Sequence, residues 1–256
     1  MPVAIDTLMT WLAVWAAPFL RLSGMFVIAP IFSAAGFNAR TRAILAVCIA
    51  ALVAPILPPS PVADLFSADG LLMAIREIGI GFAIGFILQL AFGAAVFAGQ
   101  SVAMTMGLGF AMAVDPQNGV QVPVVSQFNV ILATLLFLAL DGHLVLIATV
   151  VESYRVLPIS ASGLPVTSLS NIFAMGGQVF AGGILLALPA IASLLLVNVS
   201  FGVMTRAAPQ LNIFAVGFPL TIFAGLLVMF LAMPGFITAL TQLMSNALEQ
   251  SLAVFG

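Results

Sequence analysis

Residues 104–123 read MTMGLGFAMAVDPQNGVQVP. A long apolar segment that begins at Leu71 runs into this stretch, as far as Ala113, and a second apolar run leaves it from about Val124. Within it, Gly107 and Gly109 lower helix propensity. Asp115-Pro116 and Asn118-Gly119 each favour a turn. Yet Met104, Met106, Leu108, Phe110, Met112 and Val114 are apolar. The expectation is a broken, greasy, non-helical segment between two hydrophobic helices. Lipid cannot satisfy such a backbone, so it is expected to be enclosed by protein or to line a cavity.

The composition outside this stretch points the same way. Of 256 residues, 6 are basic and 8 acidic, and 63% are hydrophobic. Lysine is absent, so Arg21, Arg40, Arg42, Arg76, Arg155 and Arg206 are the whole cationic inventory. A soluble domain is roughly 25% charged; here the figure is 5%. That excludes a soluble enzyme, a disordered chain, and a nucleic-acid binder, which needs a basic patch against phosphate. It leaves an integral membrane protein or a subunit buried in an apolar assembly. Cys48 is alone, which removes an intrachain disulfide and a Cys-based zinc site. His143 is the sole histidine, and no cofactor is implied. The first 20 residues are apolar but lack a basic start and run into Pro18 and Arg21, so they read as a first membrane helix and not as a cleaved signal.

The length suits about six spans of ~20 apolar residues. Helices are expected from about Leu8 to Ala29, Arg42 to Ile56, Leu71 onward, Val124 to Val151, Asn171 to Thr205, and Asn212 to Leu248. Trp11 and Trp15 fit an interfacial anchor in the first. The second stops in the cluster Pro55, Pro58, Pro59 and Pro61, which cannot continue a helix. The fifth and sixth exceed a ~30 Å hydrocarbon core at 1.5 Å per residue, with Pro189, Pro219 and Pro234 as kink or break points. The fold class is therefore all-α, with long kinked membrane helices. Arg40, Arg42 and Arg206 put the first and last turns in the cytoplasm; Arg155 opposes this, unless Glu152, one turn before, pairs with it.

Two further patterns carry alternatives. Ala83, Ala91, Ala95, Gly99, Ala103 and Gly107 form a ladder of small residues, and Gly81 and Gly85 have GxxxG spacing, which permits close backbone approach. The partner is either the same chain or another subunit. Gln89, Gln100, Asn129, Gln178 and Asn198 lie within apolar runs and need partners, which suggests that much apolar surface packs on other protein chains. Arg21 inside a membrane-like helix pairs with an acid or with backbone carbonyls; Arg76-Glu77 reads as serving assembly at a helix start. Asp115 is a turn-former, an ion-pair partner or a proton-coupling carboxylate. Asp141 beside His143 is a proton relay or a local hydrogen bond, and a metal site fails for want of further ligands.

Residues 206–220 read RAAPQLNIFAVGFPL, residues 106–128 MGLGFAMAVDPQNGVQVPVVSQF, 135–147 LLFLALDGHLVLI, and 21–33 RLSGMFVIAPIFS. In these motifs, their order and the chain length, the sequence resembles the FliR family of flagellar type III export-gate membrane proteins; the injectisome counterpart is the SctT-type subunit. The resemblance covers essentially the whole chain, and the Val114-Asp115-Pro116-Gln117 wording looks more flagellar. It implies a non-enzymatic subunit assembled with FliP-like and FliQ-like subunits into a helical complex, with an FlhB-like subunit associated. Unfolded export substrates pass through this channel. It implies the bacterial inner membrane and flagellar basal body, with much of the complex raised toward the periplasm. Residues 1–256 then form one export-gate domain: about 1–155 is FliP-like and about 171–248 a FliQ-like hairpin. Residues from about 106 to 120 resemble the plug loop, with Phe110 at its tip. Met104, Met106, Gly107, Leu108, Gly109, Phe110, Met112, Val114, Asp115 and Pro116 are its expected gate residues. Apolar constrictions close by dewetting, and methionine adapts its shape to what it touches. Arg206, Pro209 and Gln210 form the last hairpin's tip, either a solvated turn or a contact with FliQ-like or FlhB-like subunits. The rivals are an injectisome gate subunit, a secondary transporter with a midplane site at the broken helix, and an intramembrane aspartyl hydrolase using Asp115 and Asp141.

Overall fold

The apolar runs fold as helices because a segment without water must satisfy its backbone internally. The computed structural model describes residues 2–34, 36–57, 66–109, 124–160, 166–207 and 217–255, with backbone alone for residues 2–11, 13, 166 and 218. Among these, eight α-helices follow in order: α1 (Pro2–Ile28), α2 (Ala39–Val53), α3 (Ala68–Thr105), α4 (Val124–Ala139), α5 (Gly142–Val156), α6 (Val166–Met175), α7 (Gln178–Ala207) and α8 (Phe218–Ala253). A 3-10 turn, Ala54–Ile56, ends α2 at the first proline of its cluster. Among the described residues, four stretches are long and apolar enough to cross a membrane: Ala39–Ile56, Ala68–Thr105, Thr167–Ala207 and Pro219–Ala253; α4 and α5 together form a fifth, broken candidate.

Two expected helices are each divided. The run from Val124 to Val151 breaks at Leu140-Asp141, where Asp141 takes a left-handed φ of 54°. The short polar side chain of aspartate tolerates that region better than a branched apolar one. The run from Asn171 breaks at Gly176-Gly177, between α6 and α7. Pro189 and Pro234 lie inside continuous helices, and Pro219 sits in the first turn of α8, where a missing N–H costs nothing.

The chain divides into two units: Met1–Leu90 with Leu138–Gly176 and Ser245–Gly256, and Ala91–Phe137 with Gly177–Met244. In the first, α1 meets the early part of α3 backbone to backbone. A Cβ added at Gly24 would collide with the Ile78 carbonyl, and one at Gly81 with the Arg21 carbonyl. At Gly85 it would come within 2.9 Å of the Met25 carbonyl and 2.8 Å of the Ile28 side chain. Arg21 and Met25, four apart, thus face Gly81 and Gly85, four apart, so the two helices run in the same direction. Such closeness allows Cα–H···O contacts along the crossing. Asn38 caps α2, its Oδ1 accepting from the Thr41 N–H at 2.8 Å and the Thr41 hydroxyl at 2.9 Å.

In the second unit, the later part of α3 packs on α4. A Cβ at Gly99 would lie 2.5 Å from Ser126 Cα. The Ser126 hydroxyl donates to the Val96 carbonyl and Asn129 Nδ2 to the Ala95 carbonyl, both at 3.1 Å. Ala91, Ala95 and Ala103 are buried. The small-residue ladder therefore serves packing within this chain, and Asn129 finds its partner there too.

Candidate functional site

The end of α3 is the described part of the broken segment. A helix leaves its last four carbonyls without helical partners. Here Leu108 N–H donates to Ala103 O and Gly107 N–H to Met104 O, both at 3.1 Å. These are the two bonds of a Schellman cap, and they require the left-handed φ of 82° that Gly107 adopts. The two carbonyls that follow are taken by side chains from later helices. Asn198 Nδ2, on α7, donates to Thr105 O at 3.2 Å, and the Thr221 hydroxyl, on α8, to Met106 O at 3.3 Å. Met106 is 1% exposed, and its side chain lies against Gly225, one turn beyond Thr221, where a Cβ would come within 2.5–2.8 Å of its Cγ, Cε and Sδ atoms. Met104 is exposed, and its sulfur lies against Gly109. Gly107 therefore works as the cap of α3. Phe110, Met112, Val114, Asp115 and Pro116 lie outside the described residues, as do Pro209 and Gln210. Arg206 is exposed in the last turn of α7, where a cation complements the helix dipole.

The second constellation is a buried charged cluster in the first unit. Arg21 and Glu77 are both 0% exposed. Arg21 Nε and Nη2 donate to the two Glu77 carboxylate oxygens at 2.7 and 3.0 Å. Its Nη1 donates to Ser153 Oγ at 2.8 Å and its Nη2 also to Leu157 O at 3.1 Å. Four of the five guanidinium N–H groups are thus used. The guanidinium carbon also lies 3.7 Å from the Tyr154 ring centroid, a cation–π contact strengthened by burial. Arg76 Nη1 donates to Pro158 O at 2.7 Å and lies 3.7 Å from Glu77. Arg76 and Glu77 lie two turns into α3, and their partners are within this chain. Both partners weighed for Arg21, an acid and a backbone carbonyl, are present at once. This geometry ties α1, α3 and α5 together; within it the Tyr154 hydroxyl and Arg76 Nε are buried without a hydrogen-bond partner among the described residues.

Sequence reasoning missed Ser153, Tyr154, Leu157 and Pro158, and on the other side Thr221 and Gly225. A polar-aromatic pair, Ser153-Tyr154, inside an apolar helix was the available signal for the first group. For Thr221 no signal existed, since a threonine in a membrane helix ordinarily bonds its own backbone. Asn198 was singled out as a polar residue needing a partner, and its partner is the end of α3.

Other candidates resolve quickly. Glu152 and Arg155 pair at 3.1 Å on the exposed surface of α5. Asp141 forms the exposed turn before α5 without a side-chain cap bond, and His143 Nδ1 is buried with no hydrogen-bond partner among the described residues. No group of three potential metal ligands exists among the described residues. A cavity of about 140 Å³ in the second unit is lined by Ala98, Val102, Phe128, Asn129, Pro189 and Phe236 among others. Asn129, the polar side chain in that lining, already gives its amide to Ala95.

Residues 12–247 match the family described as bacterial export proteins, family 1. The flagellar biosynthetic protein FliR of Pectobacterium carotovorum subsp. carotovorum is 39% identical over 227 residues, covering 89% of this chain and 87% of that protein. Its namesake in Escherichia coli (strain K12) is 38% identical over 232 residues, 91% of this chain and 88% of that one. The flagellar biosynthetic protein FliR of Bacillus subtilis (strain 168) is 26% identical over 242 residues, 90% of each chain.

Proposed function

This chain belongs to bacterial export protein family 1, together with flagellar biosynthetic protein FliR, and on that premise we propose that it is a channel-forming core subunit of the flagellar type III export gate, closed at rest by the segment that follows Met106. Family membership makes it a component of flagellar protein export, and its apolar helices make the bacterial inner membrane its setting. Its sisters in the gate are FliP-like and FliQ-like subunits, with an FlhB-like subunit associated. Unfolded flagellar subunits are the cargo. The work is scaffolding and sealing, not catalysis.

The observation that carries this reading is uncovered apolar surface. Only 6% of the most apolar window of α8, and 33% of that in Thr167–Ala207, is buried by this chain. Leu185, Leu196, Phe230 and Leu231 are each 69–74% exposed. At 1.5 Å per residue, the 36 residues of α8 extend ~54 Å, so an upright helix overruns a ~30 Å hydrocarbon core. Apolar surface beyond the hydrocarbon needs protein to cover it. FliP-like and FliQ-like helices supply that cover, and the complex rises toward the periplasm.

The plug reading rests on the composition of residues 106–120. Phenylalanine and methionine conform to a moving chain and exclude water between exports, and the Asp115-Pro116 sequence favours a turn. The test is ion conductance of the assembled gate. Deleting residues 107–112 is expected to make it leak, and Phe110→Ala to loosen closure while the complex still forms. Unchanged resting conductance on deletion overturns the plug. A tagged chain that purifies as a well-behaved monomer, and transports a small solute by itself, overturns the gate reading in favour of a transporter.

A further inference from the structure

We infer that Asn198 and Thr221 are positioning residues of the gate: they fix the residue at which α3 stops, and hence the point from which the sealing segment starts. The inference rests on the plug reading for its functional meaning but on geometry for its substance. The Schellman bonds satisfy the carbonyls of Ala103 and Met104, which leaves those of Thr105 and Met106. Asn198 and Thr221 take one each. They come from two different helices, α7 and α8, so neither helix can shift alone without uncapping α3. The Met106 side chain against Gly225 adds a steric stop on the same face of α8 as Thr221, four residues apart.

The chemistry explains why an amide is placed where it is. Asn198 lies in a 30-residue helix that is otherwise apolar over most of its length. An amide there is costly unless it is hydrogen-bonded, and the Thr105 carbonyl supplies the bond. Without these two donors, the end of α3 either frays or winds on by further residues. Each added helical residue advances the chain 1.5 Å and turns it by ~100°. An offset of one residue therefore re-aims everything after Gly107. Helices α7 and α8 thus set the residue at which α3 ends, through partners 93 and 115 positions later in sequence.

The experiment uses the assembled gate with Cys48→Ser, which removes the chain's one thiol, and Leu108→Cys as a reporter at the half-buried position after the cap. Labelling by a water-soluble maleimide is read in this background, and resting ion leak on the same variants with Leu108 retained. Asn198→Leu and Thr221→Val are expected to raise the labelling rate about tenfold and to raise the leak; Thr221→Ser, which keeps the hydroxyl, is expected to stay at the background rate. Unchanged labelling in assembled Asn198→Leu and Thr221→Val complexes overturns the inference. So does failure of both to assemble while Thr221→Ser also labels fast, because the site is then a packing requirement. Faster labelling without leak leaves the positioning role standing and overturns the plug. Leak on deletion of residues 107–112, with no change in the two variants, does the reverse.

Discussion

Replacing Glu77 by glutamine keeps the size of the side chain and removes its charge, which isolates what the carboxylate does for Arg21. In the folded chain both residues are 0% exposed, and the pair is bidentate at 2.7 and 3.0 Å. After Glu77→Gln, Arg21 keeps Ser153, Leu157 and the Tyr154 ring, but no acid remains in the cluster. Arg76, whose Nη1 lies 3.7 Å from the carboxylate, is left as a second cation there. Breaking a buried pair by removing one member costs ~3–5 kcal/mol, which is a large share of a total stability of ~5–15 kcal/mol. At ~2–4 °C per kcal/mol for a chain of this size, melting of the detergent-purified protein is expected to fall by roughly 6–20 °C. Arg21→Met alone is expected to be damaging too, since it leaves the buried carboxylate with Arg76 alone, at 3.7 Å. The double variant, Arg21→Met with Glu77→Gln, removes both charges and is expected to recover most of the loss, giving a coupling above ~2 kcal/mol. A Glu77→Gln protein that melts with the wild type, or a double variant no better than the worse single, refutes the reasoning.

Gly81→Ala puts a methyl group onto the Arg21 carbonyl and is expected to abolish accumulation of folded protein, whereas Gly202→Ala, with nothing within 4 Å, is expected to leave the isolated chain folded and to gain up to ~1 kcal/mol of helix propensity; expression and melting compare the two, and a Gly202→Ala defect seen only after assembly marks a face covered by a sister subunit. Glu152→Gln removes an ion pair whose side chains are 81% and 48% exposed and is expected to change stability by less than ~1 kcal/mol, measured by the same melting curve.

The apolar runs and their charge-free gaps revealed an all-α chain and the approximate span of each long helix, because hydropathy is a property of single residues summed along a line. The division of two of those helices was not legible. A run such as LLFLALDGHLVLI is uniformly greasy around its turn, and only the backbone angle at Asp141 separates a break from a polar interruption. The GxxxG spacing announced a close approach but could not name Arg21 and Met25 as what is approached. Arg21 was visible as an odd charge in membrane-like sequence; its acid, 56 residues away, was one of eight in the chain. The cap of α3 was half legible. Gly107 signalled an end, and Asn198 signalled an unmet polar need, but nothing in one dimension joins residues 93 positions apart.

The crossing of α1 and α3 has a mechanical consequence. Gly24 sits against one helix's oxygen, and Gly81 and Gly85 against the other's, so each rod is notched into its neighbour like a halved timber joint. A screw step of one residue, 1.5 Å along the axis with a turn of ~100°, would present a branched isoleucine, Ile80 or Ile84, where only a hydrogen atom fits. The joint therefore has one seat and no adjacent ones, and it withstands axial pull by shape instead of by adhesive strength.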